Sequence, residues 1–185
     1  MKRISVFGGS KPKPGEDAYI NALYLGKLLG QAGFTVLTGG YIGTMEAVSR
    51  GAAENGGYVI GVTCDEIESY RPVKPNRWLH EEIKRATLRE RIFSLIEECD
   101  AALGLPGGIG TLTEVVTMWN LLLTSAISFR PLILVGTEWK ATILDLYRNL
   151  GDYIPTSQRR LILFTPDADS AIALLHHDNE VTLKN

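Results

Sequence analysis

Short apolar runs stopped by glycine or proline alternate with stretches of helical period along almost the whole chain, and this alternation most limits the folds open to it. "RISVFGG" (3–9) precedes a helical stretch from Asp17 to Gln31. "FTVLTGG" (34–40) precedes another over 42–54, and "YVIGVT" (58–63) precedes a polar, proline-bearing loop over 64–77. A charged helix is expected over roughly 80–98. It is followed by "DAALGLPGG" (100–108), a helix after "PGGIGT", "PLILVG" (131–136), a helix near 139–149, "RLILFT" (160–165) and a last helix near 168–177. Strands so uniformly apolar are buried on both faces, which favours a parallel sheet covered by helices on each side. The expected architecture is an α/β, Rossmann-like, doubly wound parallel sheet of about six strands, with residues 1–185 forming one domain.

Ligands in such sheets bind beyond the carboxyl ends of the strands, where the strand order reverses. Three glycine clusters fall on that edge: Gly8 with Gly9, then Gly39, Gly40 and Gly43, then Gly107, Gly108 and Gly110. Gly56 and Gly57 precede a strand and read as a turn at the opposite edge. Glycine lets backbone N–H groups converge on an anion, and a helix N-terminus adds free donors and a positive dipole end. "PGGIGT" before a helix fits this physics, with Thr111 able to add a hydroxyl.

The common nucleotide signatures are missing. No P-loop occurs, "FGGSKPKPG" lacks the dinucleotide spacing, and the second strand ends in "TGG" without the acidic residue that grips a ribose. A redox NAD is therefore disfavoured, and a mononucleotide or other sugar phosphate fits better. Cys64 and Cys99 lie in unlike contexts and read as core thiols. His80 stands alone and His176 with His177 lies near the C-terminal end, so no catalytic metal or cofactor is expected. The formal net charge of -2 and the lack of a basic block disfavour a nucleic acid polymer. No apolar run reaches the ~20 residues of a membrane span, and the N-terminus runs straight into a strand, so a cytoplasmic protein is expected.

Glu114 is harder to place. Thr111 and Glu114 have the spacing of a capping box, which would explain the carboxylate completely. A glutamate one turn inside a phosphate-binding helix would equally sit near the sugar of a bound nucleotide. On the upstream helix, Leu88, Ile92, Phe93, Leu95, Ile96 and Cys99 form one apolar arc at about 100° per residue. Arg85 and Arg89 fall within that arc and Arg91 at its edge, and periodicity does not choose among them.

"VFGGS" (6–10), "TGGYIGTMEAVSRGAAENGGYVIGV" (38–62), "DAALGLPGGIGTLTE" (100–114) and "YIPTSQRRLILFTPDADSAIALL" (153–175) resemble the LOG (Lonely Guy) family of nucleoside 5'-monophosphate phosphoribohydrolases. The resemblance covers almost the whole chain. It implies hydrolysis of the N-glycosidic bond of AMP or an N6-modified AMP to free base and ribose 5-phosphate. Arg91, which falls where the family's Met-x-x-Arg-Lys-x-x-Met helix has its arginine, and Glu114 are then the catalytic pair. Gly9, Ser10, Gly39, Gly40, Gly43, Thr44, Gly107, Gly108, Gly110 and Thr111 are then the nucleotide- and phosphate-binding residues. Ile92 stands where the family has lysine, Thr113 where it often has glutamate, and "VVTMWNLL" where cytokinin-specific members carry a tryptophan two residues further on, so the base pocket departs from the pattern. A homodimer is also implied, with "MWNLLLTSAISF" (118–129) as either interface or core helix. The alternative is a non-catalytic carrier of a nucleotide or molybdenum cofactor, which similar architectures also support.

Overall fold

The computed structural model describes residues 2–182 and side chains through His176. Seven strands form one parallel sheet: β1 (Arg3–Phe7), β2 (Thr35–Thr38), β3 (Tyr58–Cys64), β4 (Glu81–Arg85), β5 (Ala101–Gly104), β6 (Leu132–Val135) and β7 (Ile162–Thr165). Their order is β4-β3-β2-β1-β5-β6-β7. The central strand β1 pairs Ile4 with Val36 on one side and with Ala101 on the other. The direction of winding reverses between β1 and β5, which creates the crevice expected of such sheets.

Alternate residues of β1, β2, β3, β5 and β6 feed opposite cores. Ile4, Val6, Val36, Val59, Leu103 and Ile133 face α1 (Asp17–Gln31), α2 (Thr44–Ala53) and α8 (Ala168–Thr182). Phe7, Leu37, Ile60, Ala102, Leu132 and Leu134 face α4 (Leu88–Glu97), α5 (Ile109–Leu123) and α6 (Thr137–Asn149). Burial on both sides is why these strands read as unbroken apolar runs. Ser5 is the one buried polar residue of β1, and its hydroxyl donates to the Leu95 carbonyl at 2.5 Å. The C-terminal part also holds a short α7 (Thr156–Arg159).

Two expectations are corrected here. The sheet has seven strands because the segment read as one helix over 80–98 is divided: 81–85 form β4, and the helix begins only at Leu88. β4 is an edge strand whose Glu81, Glu82 and Lys84 are exposed, so charge is tolerated there and blocks further pairing. The supposed loop over 64–77 contains the short helix α3 (Asp65–Tyr70). None of its residues is buried, which is why no apolar period marks it.

Both cysteines are free and buried. The ring of His80 stacks on Tyr58 at 5.1 Å, and its Nδ1 accepts the Val59 N–H. His176 lies against Phe34, with ring centroids 5.7 Å apart. His177 lies outside the described side chains. Among the described residues no three His, Cys, Asp or Glu side chains gather as a metal site, and no helix is long and apolar enough to cross a membrane.

Candidate active site

A cavity of about 680 Å³ opens at the carboxyl ends of β1, β2 and β5, at the point where the strand order reverses. Gly9, Ser10, Gly39, Gly107, Gly108, Gly110 and Thr111 line it together with Arg91 and Glu114. Gly40, Gly43 and Thr44 lie behind this lining. Thr44 holds the first glycine loop from below: its N–H and its hydroxyl both donate to the Gly9 carbonyl, at 2.9 and 2.8 Å. Gly43 has φ +77°, and a Cβ there would come within 2.6 Å of the Ser10 backbone, so only glycine lets the second loop pass this close to the first. The Gly40 carbonyl accepts from the Asn76 N–H at 2.8 Å and from its side-chain amide at 3.1 Å.

The third glycine loop leads directly into α5. Gly108 caps this helix without a side-chain hydrogen bond, and no acidic residue occupies its first turn. The first bond of the helix runs from the Leu112 N–H to the Gly108 carbonyl at 3.0 Å. The N–H groups of Ile109, Gly110 and Thr111 precede it, so α5 presents free donors and its positive dipole end to the cavity. Thr111 lies inside the helix and not at its cap, so Thr111 and Glu114 do not form a capping box. The real capping box is at the start of α4, where the Thr87 hydroxyl accepts the Glu90 N–H and the Glu90 carboxylate accepts the Thr87 N–H.

That box fixes where α4 starts, and so places Arg91 in its first turn. Arg91 is 6% exposed, Arg89 is exposed, and Arg85 belongs to β4, where it binds Ser94 and Glu98. The Arg91 guanidinium is held on several sides. Its Nε donates to the Val62 carbonyl at 2.7 Å, its Nη2 lies 3.8 Å from the Met45 sulfur, and it sits 5.8 Å from the centre of the buried Tyr41 ring. Any side chain at residue 39 would overlap the guanidinium, so Gly39 is where Arg91 rests.

Glu114 is 7% exposed, and its Oε1 lies 3.5 Å from Arg91 Nη1. Burial pushes its carboxyl up to about 7, and the neighbouring Arg91 charge offsets only part of that rise. A carboxyl that gains or loses its proton near neutrality suits proton transfer.

The sequence reading missed one wall of the cavity. Ile67 and Tyr70 of α3, followed by Arg71, line it beside the first glycine loop, where Arg71 Nη1 donates to the Ser10 hydroxyl. The signal available was positional: the polar segment follows the carboxyl end of β3, on the ligand-binding edge.

The SLOG cluster4 family model matches residues 1–129. The chain belongs to that family. This SLOG cluster4 protein is 30% identical over 178 residues to the Oryza sativa subsp. japonica protein named probable cytokinin riboside 5'-monophosphate phosphoribohydrolase LOGL9, an alignment covering 93% of this chain and 76% of the relative. It is 28% identical over 148 residues to the pyrimidine/purine nucleotide 5'-monophosphate nucleosidase of Escherichia coli K12, covering 75% of this chain and 32% of that protein. The molybdenum cofactor binding protein of Rippkaea orientalis superposes with a TM-score of 0.73 at 24% identity, covering 95% of this chain and 96% of that one. At that identity the likeness shows the shared fold alone.

Proposed function

We propose that the protein hydrolyses the N-glycosidic bond of a nucleoside 5'-monophosphate, with AMP and N6-modified AMP as the first substrates to test. One observation carries this reading: the buried Glu114 carboxyl, paired with Arg91 and raised by burial, shares a cavity with the uncapped N-terminus of the helix that bears it. The donors at the start of α5, Thr111 and the glycine loops receive the 5'-phosphate. The ribose then lies over the first turns of α5, beside Glu114. As the bond from C1' to the base nitrogen breaks, the electron pair leaves with the base and the sugar becomes oxocarbenium-like. Glu114 in its ionised form stabilises that charge, takes a proton from the attacking water and directs the oxygen to C1'. The products are free base, which gains a proton, and ribose 5-phosphate. Arg91 holds Glu114 in place and favours its ionised state.

The direct test is chromatography of AMP and N6-isopentenyl-AMP after incubation with the protein. Equal release of base and ribose 5-phosphate is the expected outcome. Recovery of tightly bound but intact nucleotide would replace the hydrolase reading with a carrier.

A homodimer accompanies this reading. The segment 118–129 divides, with Met118 and Leu122 in the core and Leu123 and Phe129 39% and 71% exposed. Ile109, Leu112 and Val116 continue the outward apolar face along α5, at 79%, 36% and 39% exposure. A contiguous face of this kind suits a second copy of the chain. Light scattering should give twice the 20.3 kDa chain mass, and a monomer at micromolar concentration would refute the dimer.

A further inference from the structure

We propose that Arg71 is the cationic contact that selects a phosphate monoester in this cavity. The inference rests on the nucleotide reading above and names the group that reads the charge of the ligand.

A phosphate monoester carries up to two negative charges, and the visible anion-binding elements are neutral: backbone N–H groups, Ser10 and Thr111. The Arg91 guanidinium is already occupied by the Val62 carbonyl, the Met45 sulfur and Glu114. When Glu114 is ionised, the two charges cancel. The remaining cations that line the cavity are Lys11 and Arg71. Lys11 is exposed on its loop, whereas Arg71 is half-buried and its Nη1 donates to the Ser10 hydroxyl at 3.3 Å. Neither forms a salt bridge among the described residues.

The position of Arg71 matches the anion-binding corner. Ser10 follows Gly9, and a Cβ on Gly9 would lie 3.3 Å from the Cα of Gly107, so the Ser10 loop abuts the loop that leads into α5. Arg71 therefore faces the same corner as the free donors of α5. A neutral hydroxyl is a weak partner for a guanidinium, and a phosphate oxygen replaces it readily.

The wall that carries Arg71 is fastened by polar contacts instead of packing. The Tyr41 hydroxyl donates to Glu68 at 3.3 Å, Lys84 Nζ lies 2.7 Å from Glu68 and 3.2 Å from Asp65, and the Leu88 N–H donates to Glu66 at 2.7 Å. These ties hold α3, and the Arg71 N–H closes its end on the Ile67 carbonyl at 2.9 Å.

The test is calorimetric binding of AMP, ribose 5-phosphate and adenosine to Glu114→Gln, in which the reaction proposed above is slowed at least about 100-fold, and to the same variant carrying Arg71→Gln or Arg71→Lys. Loss of one charge-assisted contact should weaken AMP and ribose 5-phosphate by about 10- to 100-fold in Arg71→Gln. Adenosine affinity should stay unchanged, and Arg71→Lys should recover part of the loss. Equal weakening of adenosine, or undiminished ribose 5-phosphate binding in Arg71→Gln, overturns the assignment. So does the chain with Arg71 intact failing to prefer AMP over adenosine. Failure of wild type to cleave bound AMP would sink the hydrolase reading alone, because the affinity comparison still decides the role of Arg71.

Discussion

Glu114→Gln is expected to fold normally and to lose at least about two orders of magnitude in turnover of AMP, the scale of one acid/base group. Glutamine keeps the shape of the side chain and its place on α5 but has neither the charge nor the basicity. The pair with Arg91 is loose: 3.5 Å exceeds the ~2.7–2.9 Å of a charge-assisted hydrogen bond, which leaves carboxylate lone pairs free for water. A tight bidentate pair would instead hold the carboxyl well below neutrality and make it a poor base. Because burial dominates the Glu114 ionisation, removing its charge should not cost stability above pH 7. Arg91 keeps its bond to Val62 in the variant. The measurements are base release by chromatography and thermal melting at pH 8. Full turnover with unchanged melting would remove Glu114 from the reaction, whereas a lower melting temperature with full turnover would make it a structural residue.

The parts of this fold that are legible in sequence are those where burial dictates residue type. The apolar runs of β1, β2, β3, β5, β6 and β7 announce themselves because helices cover both sheet faces. β4 does not, since an edge strand with Glu81, Glu82 and Lys84 in solvent has the composition of a helix surface. Thr87 and Glu90 carried the correcting signal, a capping box that starts α4 after β4 has ended. The same spacing at Thr111 and Glu114 means nothing of the kind, because Gly108 already caps α5. Motif spacing cannot tell these cases apart; the position of the helix start can. The glycine clusters identify the ligand edge, yet sequence does not separate lining from support. Gly9 and Gly107 border the cavity, while Gly43 and Thr44 make the loop packing possible from behind. Arg71 is hidden for a further reason: its neighbours on α3 are tied by side-chain polar contacts between segments distant in the chain.

Arg91→Gln should move the pH at which the protein works. As the proposed base, Glu114 would act only when ionised, so kcat/KM is expected to rise with pH and level off above about 7. Arg91 is the one charge that lowers the Glu114 value. Without it the carboxyl rises further, so the acid limb shifts to higher pH and activity at pH 7 falls by at least about tenfold, with partial recovery in alkali. Stability must follow the same titration. A folded value near 7 lies above the ordinary 4.5, so the contribution of this group is complete below pH 4.5 and is lost as pH rises through 7. That window corresponds to about 3 kcal/mol. In Arg91→Gln the loss continues to higher pH, because an ionised Glu114 would then be buried without a counter-charge. The variant should therefore be close to wild type at pH 5 and less stable by about 1 kcal/mol at pH 8, with the gap widening as pH rises further. Urea unfolding at both pH values, alongside the kcat/KM profile, separates this from a simple packing defect. A packing defect costs the same at pH 5 as at pH 8 and leaves the acid limb in place, because it does not change the charge that Glu114 faces.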